Sequence, residues 1–233
     1  MDDQTKQWIS EQNDIVKMYI HDFKNPVAAL FSNLSYLEAV IEDSDALEAV
    51  TDSLTAVKSM LRMFDNMLQI SRLEAGETVE KKTIKLEAII QQSIDNVQSN
   101  FVMMHPSLQL ETSIPDALCN WPEQYAKLAI ENLFLSAIHN TPQTEKVLIS
   151  VSINNNSAII KTTDSGILIA EEFLDKTFNR TFISISKTEP RARYGKAMGL
   201  YAAGLAAGYL GGSITALKPE NNFQTIELIL PLN

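Results

Sequence analysis

Residues 16–41 read VKMYIHDFKNPVAALFSNLSYLEAVI. Val16, Ile20, Phe23, Val27, Leu30, Leu34, Leu37 and Ile41 step by four and three in alternation, the heptad seam of a helix that packs on other helices. A polar break follows at Glu42-Asp43-Ser44-Asp45, able to turn the chain and cap a second helix. Leu47, Val50, Leu54, Val57, Leu61, Phe64 and Leu68 then repeat the alternation up to Glu74-Ala75-Gly76, where glycine suits a helix end. A two-helix hairpin cannot bury two full seams by itself. The economical solution is a homodimer in which two hairpins make one four-helix bundle; the competing one is a hairpin packed on the rest of its own chain.

Within that seam Ile20 and Phe23 are expected to point inward, which sets His21, Asp22 and Asn25 on the outer side. His21 and Asn25 are four apart and Asp22 and Asn25 three apart, so the three share one patch. A neutral imidazole on a rigid helix is a nucleophile that partner proteins can reach. A neighbouring carboxylate can take its proton and steady the ring, and an amide at Asn25 can orient a water. Pro26 removes the hydrogen bond to the carbonyl of Asp22 and bends the helix beside His21. An exposed histidine on a helix is ordinary. A proline in mid-seam with heptads on both sides is not.

The 233-residue length suits one or two domains, with 1–78 as the helical hairpin and 79–233 as a second unit. Hydrophobic residues make up 45% and charged residues 21%, a globular composition. The formal net charge of −10, from 29 acidic and 19 basic residues, argues against nucleic acid as a partner, because phosphate contacts need Lys and Arg. The single cysteine, Cys119, rules out an internal disulfide and fits a reduced compartment. No apolar run reaches about 18 residues, so no membrane span is expected, and the acidic Met1-Asp2-Asp3 start is unlike a signal peptide. A cytoplasmic location with no sensor span is the expectation.

Beyond Lys81-Lys82 the pattern changes. Residues 83–86 suit a short strand, followed by an amphipathic helix to about Met104 and a strand at 108–112. Trp121-Pro122-Glu123 opens a helix with proline in its first turn. Strands at 147–153 and 158–162 are joined by Asn154-Asn155-Asn156. Residues 164–194 read as irregular. A small-residue helix covers 198–210, stopped by Gly211-Gly212, and strands at 214–217 and 224–230 close the chain. Six of the 8 glycines crowd the segment 195–212. Helices mixed with mostly antiparallel strands make an α+β fold.

These stretches together resemble the bacterial two-component histidine kinases. HDFKNPVAAL, from His21 to Leu30, is similar to their phosphoacceptor box, and the surrounding hairpin to their dimerisation and phosphotransfer domain. The stretch from Asn132 through Ser136 to Pro142 resembles the family's Asn-rich helix, Asp164-Ser-Gly166 its adenine-reading box, and Gly195-Lys-Ala-Met-Gly199 its second glycine box. The resemblance implies an α/β sandwich of the histidine-kinase, gyrase and Hsp90 ATPase type for the second unit. It also implies a role for each matched residue. His21 is the phosphorylated residue, Asp22 its acid–base partner and Asn25 the phosphatase-assisting position. Asp164 and Gly166 read the adenine, Asn132 and Ser136 line the nucleotide site, and Gly195 and Gly199 flank a phosphate-covering lid. Response-regulator receiver domains become the expected partners, docking over Ala28, Ala29 and Leu30.

The departures from the family pattern fall in the ATP site. Ser136 stands where a second Asn holds Mg²⁺, and a hydroxyl is the poorer ligand. Leu168 replaces a glycine of the Asp box. Ala197 replaces the middle glycine of the second box, where a Cβ is expected to block φ > 0. Asn120-Trp121 lacks the usual aspartate. Phosphoryl transfer depends on positioning and charge neutralisation, so such losses act directly on rate. The expectation is therefore a phosphorelay histidine phosphotransferase with a degenerate ATP site. It holds no tight cofactor or metal, and the receiver domain supplies Mg²⁺. The alternatives are a histidine kinase autophosphorylating His21 with Mg-ATP, and a non-catalytic dimeric adaptor that sequesters a response regulator. His105 and His139 have no partners at metal spacing; Cys119 and Trp121 read as core; Met60, Met63 and Met67 read as bundle packing. Arg180, Arg191 and Arg193 fall in the lid-like stretch.

Overall fold

The computed structural model describes residues 3–101, 107–142, 144–186 and 194–233. His105, Arg191 and Arg193 lie outside the described residues. The chain divides into two compact units, Met1–Glu77 and Thr78–Asn233.

The first unit is an antiparallel pair of helices, α1 (Asp3–Val40) and α2 (Ser44–Glu74). Between them Asp43 has extended backbone, and its side chain accepts from the amide N–H of Ala46 at 2.9 Å, satisfying one of the orphan donors of α2. Gly76, just beyond the helix, takes φ +70°, a left-handed conformation that only glycine adopts without strain. Ile20, Val27, Val50, Leu54 and Val57 are buried where the helices meet. The seam is only half covered. Phe23 is 57% exposed instead of pointing inward, and Leu30 and Leu37 are exposed with it. Two helices offer one contact line, and a seam of alternating fours and threes spreads across more than that line can cover. Phe23 nonetheless stacks on Phe64 of α2 with ring centroids 6.0 Å apart, and beside it Lys24 reaches Asp65 at 2.7 Å.

The second unit is a two-layer sandwich. Five strands run in the order β2 (Ser107–Leu110), β4 (Lys146–Asn154), β5 (Ser157–Asp164), β7 (Gln224–Pro231) and β6 (Ser213–Ala216). β2 lies parallel to β4, and the other neighbours are antiparallel. Asn155 and Asn156, both with positive φ, make the tight turn between β4 and β5. Val147, Ile149 and Val151 of β4, Ala158 and Ile160 of β5, and Ile226, Leu228 and Leu230 of β7 form one buried face. The opposite face is polar, with Lys161 paired to Glu227 at 2.7 Å and Thr163 bonded to Thr225 at 3.0 Å across β5 and β7. Helices α3 (Leu86–Phe101), α4 (Glu123–Asn140) and α6 (Tyr194–Tyr209) supply the apolar layer. Ala202, Ala203, Ala206 and Ala207 let α6 approach α4 closely, and Gly204 sits where a Cβ would lie 2.7 Å from the carbonyl oxygen of Phe178.

Several boundaries differ from the sequence reading. β1 (Lys82–Lys85) pairs with a strand not anticipated, β3 (Leu118–Trp121), in a separate two-stranded sheet. Pro122 is the N-cap of α4 and not a residue of its first turn. The stretch read as irregular contains a 3-10 turn (Glu171–Lys176) and a short helix, α5 (Arg180–Ser186). Trp121 and Cys119 are core, as expected, and the Trp121 indole N–H donates to the carbonyl of Pro231. Burial pushes the Cys119 thiol up to about 11. Among the described residues no helix is long and apolar enough to cross a membrane.

Candidate functional site

His21, Asp22 and Asn25 lie together on α1. Because Ile20 and Val27 take the buried side of the helix, the intervening His21, Asp22 and Asn25 are exposed. The His21 side chain is 76% exposed, and its Nδ1 lies 3.3 Å from Oδ1 of Asp22. With the proton on Nδ1 and shared with that carboxylate, Nε2 carries the lone pair and faces solvent. Pro26 sits within α1 one turn on, and the helix continues through it. Ala28, Ala29 and Leu30 are exposed on the following turn.

A second group of matched residues gathers in the second unit where α4 meets the ends of β5 and β7. Alternation along β5 places Ala158, Ile160, Thr162 and Asp164 on the buried face, so the strand ends with a carboxylate under the helix layer, 2% exposed. Its Oδ1 accepts from the amide N–H of Gly166 at 2.9 Å and from Nδ2 of Asn140 at 2.6 Å. Gly166 is pressed on the end of α4, where a Cβ would fall 2.0 Å from the carbonyl oxygen of Asn140. Asn132 and Ser136, one turn apart on α4, are both buried, and Nδ2 of Asn132 donates to the carbonyl of Leu128 in its own helix at 2.9 Å. Leu168 is 39% exposed and Ile167 is 82% exposed, so the loop after Asp164 carries aliphatic side chains toward solvent.

Gly195, Ala197 and Gly199 all lie in the first turns of α6. The expectation that Ala197 blocks a positive φ does not hold, because the position is helical and any L residue adopts it. Ala197 is instead a buried packing residue. His139 lies in the last turn of α4, and Arg180 begins α5. Among the described residues no three His, Cys, Asp or Glu side chains gather closely enough to hold a metal ion. Two residues that sequence reasoning passed over, Asn140 and Gln224, prove to be tied to the Asp164 loop. Gln224 carried a signal: it occupies the inward register of β7, where its neighbours Ile226, Leu228 and Leu230 are apolar.

Known proteins match in both units. The family of the His Kinase A (phospho-acceptor) domain matches residues 11–76, and that of the histidine kinase-, DNA gyrase B- and HSP90-like ATPases matches residues 123–233. The signal transduction histidine-protein kinase ArlS of Staphylococcus aureus (strain USA300) is 23% identical over 233 residues, covering 97% of this chain and 50% of that protein. The chain thus spans about half the length of the curated relatives it matches. In fold it is similar to full-length ShkA, solved in complex with AMPPNP, with a TM-score of 0.63 at 15% identity over 94% of this chain and 45% of that one. It is likewise similar to the Acinetobacter baumannii histidine kinase AdeS, with a TM-score of 0.59 at 16% identity over 91% of this chain and 98% of that one.

Proposed function

Since the chain belongs to the bacterial two-component histidine kinase family, with a phosphoacceptor unit and an ATPase-type unit in family order, we propose that His21 carries a phosphoryl group loaded from Mg-ATP and passed to the receiver domain of a response regulator. The observation that carries this reading is the exposed imidazole of His21 with the Asp22 carboxylate 3.3 Å from its Nδ1. Nε2 attacks the γ-phosphorus, an N–P bond forms, the P–O bond to the β-phosphate breaks and ADP leaves with that electron pair. The imidazolium that results gives its Nδ1 proton to Asp22. A receiver aspartate then attacks the phosphorus, the N–P bond breaks with its electron pair returning to Nε2, and Asp22 gives the proton back to Nδ1, which restores the neutral ring. Asn25, on the same exposed face, orients water for dephosphorylation in this reading.

The residues present fit the base end of a nucleotide better than its metal end. Asp164 is an acceptor fixed by the N–H groups of Gly166 and Asn140. Asn132 and Ser136 would meet the Mg²⁺-phosphate end, where the metal would neutralise phosphate charge. Of the two, Ser136 offers only a short hydroxyl where a carboxamide oxygen would reach further. That weakness favours a second reading, a histidine phosphotransferase loaded by the aspartyl phosphate of one receiver and discharged to another, with Mg²⁺ supplied by the receiver. In either reading the receiver docks over exposed Ala28, Ala29 and Leu30, and the protein acts as a homodimer through the exposed seam residues Phe23 and Leu37. A purely sequestering adaptor has no need of Asp22 and Asn25 beside His21.

The test is incubation with γ-labelled ATP and Mg²⁺. Acid-labile, base-stable label that His21→Ala abolishes is the expected result. No label from ATP, with His21-dependent label from a phosphorylated receiver domain, replaces the kinase reading by the phosphotransferase one. Absence of label from both sources overturns both.

A further inference from the structure

We propose that Asn140 and Gln224 are positioning residues that clamp the loop 164–169, so that the Asp164 carboxylate selects a 6-amino purine nucleotide over a 6-oxo one; this rests on the ATP-loading reading above. Asn140 is the last residue of α4. Its Nδ2 donates to Oδ1 of Asp164 at 2.6 Å and to the carbonyl of Ile167 at 3.0 Å, which uses both hydrogens of the amide. The loop also rides on the Asn140 backbone, because Gly166 leaves no room for a Cβ against that carbonyl. Gln224 holds the far end. It is the cross-strand partner of Asp164 and is 1% exposed. Its Oε1 accepts from the amide N–H of Ile169 at 3.1 Å, while its Nε2 donates to the carbonyls of Leu217 at 2.8 Å and Thr225 at 3.2 Å.

The arrangement has a chemical consequence. Two N–H donors, from Asn140 and Gly166, converge on one oxygen of the Asp164 carboxylate and fix its plane. An ionised carboxylate only accepts, so a fixed one rewards the N–H of an exocyclic amine and repels the carbonyl oxygen that replaces it in a 6-oxo purine. A carboxylate free to rotate turns away from the carbonyl and loses the discrimination. Asn140 and Gln224 touch the loop and not the base, so their effect is on selectivity through Asp164.

The experiment is calorimetric titration of the full chain with Mg-ATP and with Mg-ITP, whose base has a 6-oxo group and an N1–H where adenine has the 6-amine and a bare N1. The wild type is expected to prefer ATP by about ten- to hundredfold, the range of one hydrogen bond to a charged group. Asn140→Leu keeps the volume but has no N–H to donate and adds no charge beside Asp164, and it is expected to bring the preference to within about threefold by weakening ATP while leaving ITP unchanged. Gln224→Met, which keeps the volume, moves the ratio the same way. Equal weakening of both nucleotides, or an unchanged ratio in both variants, overturns the clamp and leaves the ATP reading standing. A wild type that binds neither nucleotide overturns both.

Discussion

Gly166 is the position where one atom decides the geometry of the candidate nucleotide site. A Cβ there would stand 2.0 Å from the Asn140 carbonyl oxygen and 2.6 Å from the Asn140 Nδ2, and neither the helix end nor the doubly bonded amide can give way cheaply. Gly166→Ala is expected to cost about 2 kcal/mol, a typical overpacking penalty, and so to lower the thermal midpoint of the second unit by roughly 4–8 °C. Calorimetry measures it, with the transition of the first unit as internal reference. Gly76, with nothing within 4 Å of its Cβ position, shows the opposite case of a glycine kept for its φ alone. At this scale the sequence was partly legible. Asp164 could be read because Asp164-Ser165-Gly166 resembles the family's adenine box, although the strand it ends was read only as far as Thr162. Asn140 could not, because its partners lie 24 and 27 residues away and only the meeting of α4 with the end of β5 brings them together. Gln224 could have been suspected from parity, as a polar side chain on the apolar face of a strand.

Elements followed the hydrophobic period wherever the period had room to repeat. α1 and α2 run to 38 and 31 residues, long enough for the alternation of fours and threes to be unmistakable. β3 is as short as β1 and β6, which were read, but its residues Leu118-Cys119-Asn120-Trp121 include no β-branched side chain to mark a strand. The 3-10 turn and α5 are too short to carry a period, being 6 and 7 residues long. Turn chemistry was a better guide than period at the ends of elements. Asp43, read as part of a polar break, is the cap of α2 through its bond to the Ala46 amide. Asp43→Ala is expected to destabilise the hairpin by about 1 kcal/mol, because that helical N–H then loses its partner. Ser44→Ala is the control: its Oγ is 3.5 Å from the Asp45 carboxylate at an exposed position, a contact too long to matter. Circular dichroism during urea titration of the two variants separates the cap from mere helix propensity.

For the molecule as a whole, the question is what covers α1. One side of its seam, Ile20 and Val27, is closed by α2, whereas Phe23 and Leu37 remain 57% and 39% exposed. Each such half-exposed side chain gains about 1 kcal/mol when fully covered. A two-fold axis along the seam would count every residue twice, since the same patch serves on both chains. The two helices cannot supply that cover themselves, since α2 already spends Val50, Leu54 and Val57 on the contact it makes. A second hairpin is the element whose own surplus has the matching period. Leu37→Glu would then place two carboxylates at one closed interface, each losing water without gaining a partner, at a cost of several kcal/mol. Sedimentation equilibrium is expected to give twice the 26.0 kDa chain mass for the wild type and for Asn33→Glu, an exposed position off the seam, and the single-chain mass for Leu37→Glu. A Leu37→Glu protein that stays at the doubled mass would mean that the seam faces something other than its own copy. The four-helix assembly, the receiver surface at Ala28, Ala29 and Leu30, and any transfer between chains would then all need a different geometry around His21.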